Sequence, residues 1–191
     1  MKALKIAAFA AVVAGLVGCG NSQARLYQLA IDASALGNLP PSCYANNTVP
    51  TNKTELTNYK GEDQWAIWDG PDGKQYLDMG TTSFTLGNAD PVVVTGVIES
   101  TDPKVFSGTR TDRTLPNPSA ANPNFSDTQV GTVTVTFDDL GNTTKGTIQL
   151  KSEYTCTSCQ NNGGKVNCSA QLAFTGRRID YSNLNPVNAN P

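Results

Sequence analysis

The sequence predicts an all-β fold, a single antiparallel meander of about eight strands. Three observations point there. Short segments alternate apolar and polar residues, as in Val130 to Phe137. Clusters of Gly, Asn, Asp and Pro separate those segments. No helical period of useful length occurs after residue 18. A closed up-and-down β-barrel would leave no sheet edge unpaired, and a two-sheet β-sandwich is the rival arrangement. Periodicity does not choose between them.

The elements follow in order. Arg25 to Ile31 places Tyr27, Leu29 and Ile31 on one face, a first strand. Asn38 to Asn58 holds Pro40, Pro41 and Pro50 and reads as a long loop pinned by Cys43. Gln64 to Trp68 and Lys74 to Leu77 flank Asp69-Gly70-Pro71-Asp72-Gly73, a hairpin. Val92 to Ile98 is a β-branched run, and Val105 to Arg110 follows it. Residues 115–125, with Pro116, Pro118 and Pro123, form a connector. Val130 to Phe137 turns through Leu140-Gly141-Asn142 into Gly146 to Tyr154, and a cysteine-bearing loop leads to Val166 to Ile179. The domain thus spans 25–182, and residues 183–191 form a tail with little to bury.

The N-terminus has a different character. Lys2 and Lys5 precede an apolar run from Ile6 to Val17, a charged n-region and an h-region too short to stay across a bilayer. The run ends in Leu16-Val17-Gly18-Cys19. This stretch resembles the lipobox of bacterial lipoproteins, cut by signal peptidase II. The resemblance implies that 1–18 is a removed signal peptide. Cys19 would then be the lipidated first residue, and 19–24 a tether to the membrane. Gly20, where that family's inner-membrane retention signal is Asp, implies the outer membrane.

Charge and composition exclude several functions. The chain has 14 Lys and Arg against 16 Asp and Glu. Loss of Lys2 and Lys5 would leave the mature chain about four charges negative, which argues against a nucleic-acid partner. There is no histidine. That removes the common general base, the Ser-His and Cys-His pairs and the usual catalytic zinc ligand. No G-x-S-x-G, EF-hand loop or phosphate loop is present. The reading is therefore of no enzyme, no cofactor and no metal. A histidine-free hydrolase would need two carboxylates converging in a cleft.

Cys43, Cys156, Cys159 and Cys168 are an even number in an exported chain and read as two disulfides. Cys156-Thr-Ser-Cys159 also has the form of a redox or zinc motif, but no helix follows it. Cys156 and Cys168 flank Asn161-Asn162-Gly163-Gly164 and are expected to pair, leaving Cys43 for Cys159; Cys159–Cys168 with Cys43–Cys156 is the alternative.

Two further features suggest a site. Phe106 to Asp112 and Phe174 to Asp180 both fit F-[ST]-G-x-R-x-D, by diverged duplication or by chance in a Thr-Gly-rich chain. Period two puts Phe, Gly, Arg and Asp on one face. Arg110 and Arg178 would approach the interior near a barrel mouth, with Asp112 and Asp180 beyond. They would either bind an anion or pack on an aromatic ring and pair with the aspartates. Trp65 and Trp68 fall on opposite faces, one in the core and one outside. The outer one, beside Tyr44, Tyr59 or Tyr76, would either pack under a loop, the commoner fate of such a ring, or serve a sugar or a partner. A last-strand Arg with an early Trp resembles the lipocalin arrangement. The Gly-x-Trp motif of that family is absent, since Asp63-Gln64 precedes Trp65 and Ala66-Ile67 precedes Trp68.

The functional expectation is an outer-membrane lipoprotein acting as a non-catalytic structural or interaction module of the cell envelope. Its partners would be the membrane through the N-terminal lipid and an envelope protein. The alternative is a carrier of an apolar or anionic small molecule, with a lumen lined by residues such as Phe106, Val135, Leu150 and Phe174.

Overall fold

The structure, a computed structural model, describes residues 24–44, 47–49, 63–86, 92–114, 126–157 and 166–179. Eight strands form one closed antiparallel barrel in simple chain order. They are β1 Arg25–Asp32, β2 Asp63–Asp69, β3 Gln75–Leu86, β4 Val92–Asp102, β5 Val105–Thr114, β6 Ser126–Phe137, β7 Thr143–Thr157 and β8 Cys168–Ile179. The meander is closed by β1 pairing with β8 from Leu26↔Ile179 to Asp32↔Ala173, which settles barrel against sandwich. Following partners once round returns to β1 about ten residues further on, a stagger that tilts the strands as in other small barrels.

The alternation seen in the sequence is what fills this barrel. Tyr27 and Leu29 on β1, Trp65 and Ile67 on β2, Val133 and Val135 on β6 and Leu172 and Phe174 on β8 all point inward and are buried. Most outward positions are polar, with Val97 an exposed apolar exception. Thr109 faces Thr132, and Ser107 lies beside Thr134, with their hydroxyls 3.4 and 3.3 Å apart. Gln28, Gln64, Lys151, Glu153, Gln171 and Arg177 are exposed. Among the described residues the outer wall carries no apolar band of the kind a lipid-embedded barrel needs.

In β3 the alternation breaks. Leu77 and Met79 are buried, then Thr82, Phe84 and Leu86, so the inward parity changes between Met79 and Thr82. The pairing with β4 shifts register there. Gly80 at φ 60° and Gly96 at φ 84° supply the left-handed backbone of this bulge, and Gly80 N–H donates to Asp78 Oδ1 at 2.8 Å.

The two ends of the barrel differ. Three tight turns, β2–β3, β4–β5 and β6–β7, lie at one end together with the start of β1 and the finish of β8. We call this the hairpin end. The other, the loop end, receives the finish of β1 and the start of β8. There the chain leaves β1 into two 3-10 turns, Ser34–Asn38 and Pro41–Cys43. These form within the stretch expected to be loop. Leu36 and Cys43 join the core, and Tyr44 O–H donates to the Leu36 carbonyl at 2.6 Å.

Cys43 and Cys168 form a disulfide with Cα atoms 5.8 Å apart. Both expected pairings are thereby corrected. The physical reason is register. Cys168 lies opposite Ser152 on β7, and Cys156 is four residues further along that strand, about 13 Å away. Cys168 instead meets the turn that carries Cys43. Cys156 is disulfide-bonded too; Cys159 lies outside the described residues.

Candidate functional site

The interior at the hairpin end is an aromatic column. Phe137 packs edge-on to Phe106 and Phe174, with ring centroids 5.8 and 5.0 Å apart. Tyr27 lies 6.2 Å from Phe137, and Trp65 lies 6.0 Å from Phe174. The polar edges of these rings are used. Trp65 Nε1–H donates to the buried Thr82 hydroxyl at 2.8 Å, and Tyr27 O–H donates to the Leu140 carbonyl at 2.7 Å. Burial pushes the Tyr27 phenol pKa up, opposed by the nearby Arg25 and Arg178 guanidiniums.

A side chain lining a void large enough for water keeps accessible surface. Tyr27, Trp65, Ile67, Leu77, Met79, Phe106, Val133, Val135 and Ile148 keep none, at 0%. These residues come from six strands. Leu150 and Phe174, the other candidate lumen residues, are 2% exposed. The barrel is filled through these layers. Towards the loop end a polar pair enters among core residues such as Ile31, Phe84 and Leu86, and buried Gln129 donates from Nε2 to Ser152 Oγ at 2.8 Å. Among the described residues no buried side-chain nitrogen or oxygen lacks a partner, no carboxylate is buried, and no three potential metal ligands converge.

The echoed arginines do not share a mouth. β5 runs from the hairpin end to the loop end, and β8 runs back. Arg110, opposite Gly131, therefore lies towards the loop end, where it is exposed. Arg178, opposite Tyr27, lies at the hairpin end. The expected convergence is corrected by strand direction. β8 is three strands on from β5, an odd step, so the two echoed strands run antiparallel. Asp112 is paired in register with Gln129, its side chain lying outside the described set, as does all of Asp180. The aromatic beside Arg178 is Tyr27; Trp65 is one strand further, opposite Tyr27 on β2.

No family model matches this sequence, and no curated protein matches it.

Trp65 and Trp68 divide as their parity requires. Trp65 is core, whereas Trp68 lies half-buried on the outer wall near the hairpin end. Its cross-strand partner is Tyr76, and the rings stack at 5.8 Å with planes 19° apart. Around them polar groups hold one another. Tyr76 O–H donates to Asp72 Oδ2 at 2.8 Å, and Gln75 Nε2 donates to Asp69 Oδ1 at 2.8 Å. Lys74 Nζ bridges to Glu99 at 2.7 Å. The Tyr76 hydroxyl and the Lys74 amide hold the Asp72 carboxyl below its ordinary range, and the same bond raises the Tyr76 pKa. Parity alone separates Trp65 from Trp68, and the hairpin register selects Tyr76 from the three tyrosines the sequence offers.

Cys19, the expected lipidation site, lies outside the described residues.

Proposed function

We propose that this chain is an outer-membrane lipoprotein, anchored through Cys19, whose barrel is a non-catalytic structural or interaction module of the cell envelope. The observation that carries the second half is the filled interior. Nine inward side chains from six strands retain no accessible surface, so those layers have no room for a guest of the size carriers hold. The first half is supported by the charged, apolar and Leu-Val-Gly-Cys order of the N-terminus. Acylation at one residue with two or three chains gives stable anchoring, and the polar outer wall suits a barrel that stands in water beside the membrane.

Native mass spectrometry of the protein extracted from membranes tests both halves. The expected mass is that of residues 19–191 plus acyl chains, with no further guest. A stoichiometric small molecule surviving extraction would overturn the module reading in favour of a carrier. A chain without acyl groups would overturn the anchor.

A further inference from the structure

We propose that the hairpin end of the barrel, with the Trp68–Tyr76 wall beside it, lies against the headgroups of the bilayer, and that the loop end points away. This orientation rests on the lipid anchor proposed above and goes beyond it.

The argument is one of reach. Cys19 lies six residues before Arg25, where β1 starts at the hairpin end. Six residues span at most about 20 Å however the chain runs. β8 has 12 residues and crosses the barrel from end to end. At about 3.3 Å per residue and a tilt near 40°, the barrel is about 30 Å tall. A tether leaving the hairpin end is thus too short to run up the wall and bring the loop end down to the membrane.

The chemistry of the hairpin end fits that placement. Trp68 and Tyr76 are amphipathic rings on a mostly polar wall, the residue types that settle at a headgroup interface. Arg25, Lys74, Lys104, Lys145, Arg177 and Arg178 lie at this end, with Lys104 at the tip of the β4–β5 turn. Their charge is nearly balanced by aspartates on the same turns, with Lys145 within 3.9 Å of Asp138. The contact is therefore set by the tether and the rings, and is insensitive to the share of anionic lipid. The disulfide-pinned turns at the loop end are left for a partner.

The chain has two tryptophans, and one of them is sealed inside. Emission that changes at the membrane therefore reports Trp68. The full lipidated protein is reconstituted into phosphatidylethanolamine–phosphatidylglycerol vesicles containing phosphatidylcholine with a nitroxide on its headgroup. The expected result is loss of the Trp68 emission, at low and high phosphatidylglycerol alike. In W68F the loss should vanish. In W68F carrying V166W, which places the reporter on an exposed site at the loop end, no loss should appear. Quenching of the residue 166 reporter, or unquenched Trp68 in a protein shown by mass to be acylated and vesicle-bound, would overturn the orientation alone. A chain without acyl groups would overturn the anchor and the orientation together.

Discussion

Tyr27, on the first strand, donates its hydroxyl to the carbonyl of Leu140, 113 residues later, at 2.7 Å. The bond joins the strand that closes the barrel to the β6–β7 turn, at the foot of the aromatic column. Y27F keeps the ring and leaves that carbonyl without its donor. It should cost about 0.5–1.5 kcal/mol, the net contribution of a typical hydrogen bond, because the Leu140 carbonyl is only part-buried. Urea unfolding would show this as a lower midpoint with an unchanged slope. An unchanged midpoint would mean that water satisfies Leu140 and the bond contributes nothing.

The same residue predicts an alkaline limit. Burial raises the Tyr27 pKa above the ordinary 10.0. A raised folded value means that the contribution is fully present below the unfolded pKa and is lost as pH rises through the folded one. Phenolate absorbance should therefore show Tyr27 titrating late together with loss of the fold, apart from Tyr76, whose pKa its bond to Asp72 also raises. In Y27F that late step should be missing. Six ordinary tyrosine titrations in the native protein would contradict the buried placement.

The Cys43–Cys168 bridge links residues 125 apart in the chain. Cross-links over long loops constrain the unfolded chain most, and a typical contribution is about 2–4 kcal/mol. The double variant C43A/C168A should lose stability on that order yet keep its strand content, because β1–β8 pairing does not depend on the sulfurs. Peptide mapping without reduction should return a linked Cys43–Cys168 peptide. With that pair assigned, Cys156 and Cys159 should appear oxidised within one peptide. A Cys43–Cys159 peptide would contradict the structure.

The strands were legible because their signal is local. Val130 to Phe137 shows its alternation in the sequence, and Asp69 to Gly73 shows its turn. What failed depended on distant pairing. The sequence pattern of β3 stops at Leu77 because the bulge at Gly80 reverses which parity faces inward, and a bulge exists only against a partner strand. The arginine echo looked convergent because period two fixes the face of a residue but not the direction of its strand. Arg110 and Arg178 share a face and lie towards opposite ends. Cys168 could be placed on a strand, but not the turn it would meet. Of the site features, the opposite faces of Trp65 and Trp68 follow from parity, but Tyr76 is one of three tyrosines the sequence offers until the register across the hairpin sets it against Trp68.

Gly146 offers a test of packing in the column. A Cβ there would meet the Thr136 carbonyl oxygen on β6 and the ring of Phe174 on β8. Neither has room to move, because one is backbone and the other is wedged between Phe137 and Trp65. G146A should therefore destabilise by more than the usual ~1–3 kcal/mol of an overpacked core site. G73A, where the added Cβ meets nothing, should cost only the strain of its φ of 80°. Equal thermal shifts for the two would show that the column is looser than its contacts imply.

The β2–β3 hairpin carries a pH signature of its own. Asp72 accepts from the Tyr76 hydroxyl at 2.8 Å and from the Lys74 amide at 3.2 Å, and both bonds favour the carboxylate. Its pKa lies below the ordinary 3.8 in consequence, with the Tyr76 bond the larger cause. A depressed folded value contributes stability above the unfolded pKa and loses it as pH falls through the folded one. Acid should thus loosen this hairpin late, after ordinary carboxylates have titrated. Y76F removes the larger bond but keeps the ring on Trp68. Carboxyl carbon shifts followed by NMR should then show Asp72 titrating nearer 3.8, with Trp68 fluorescence unchanged. An Asp72 midpoint that does not move in Y76F would mean that the Lys74 amide alone holds the charge.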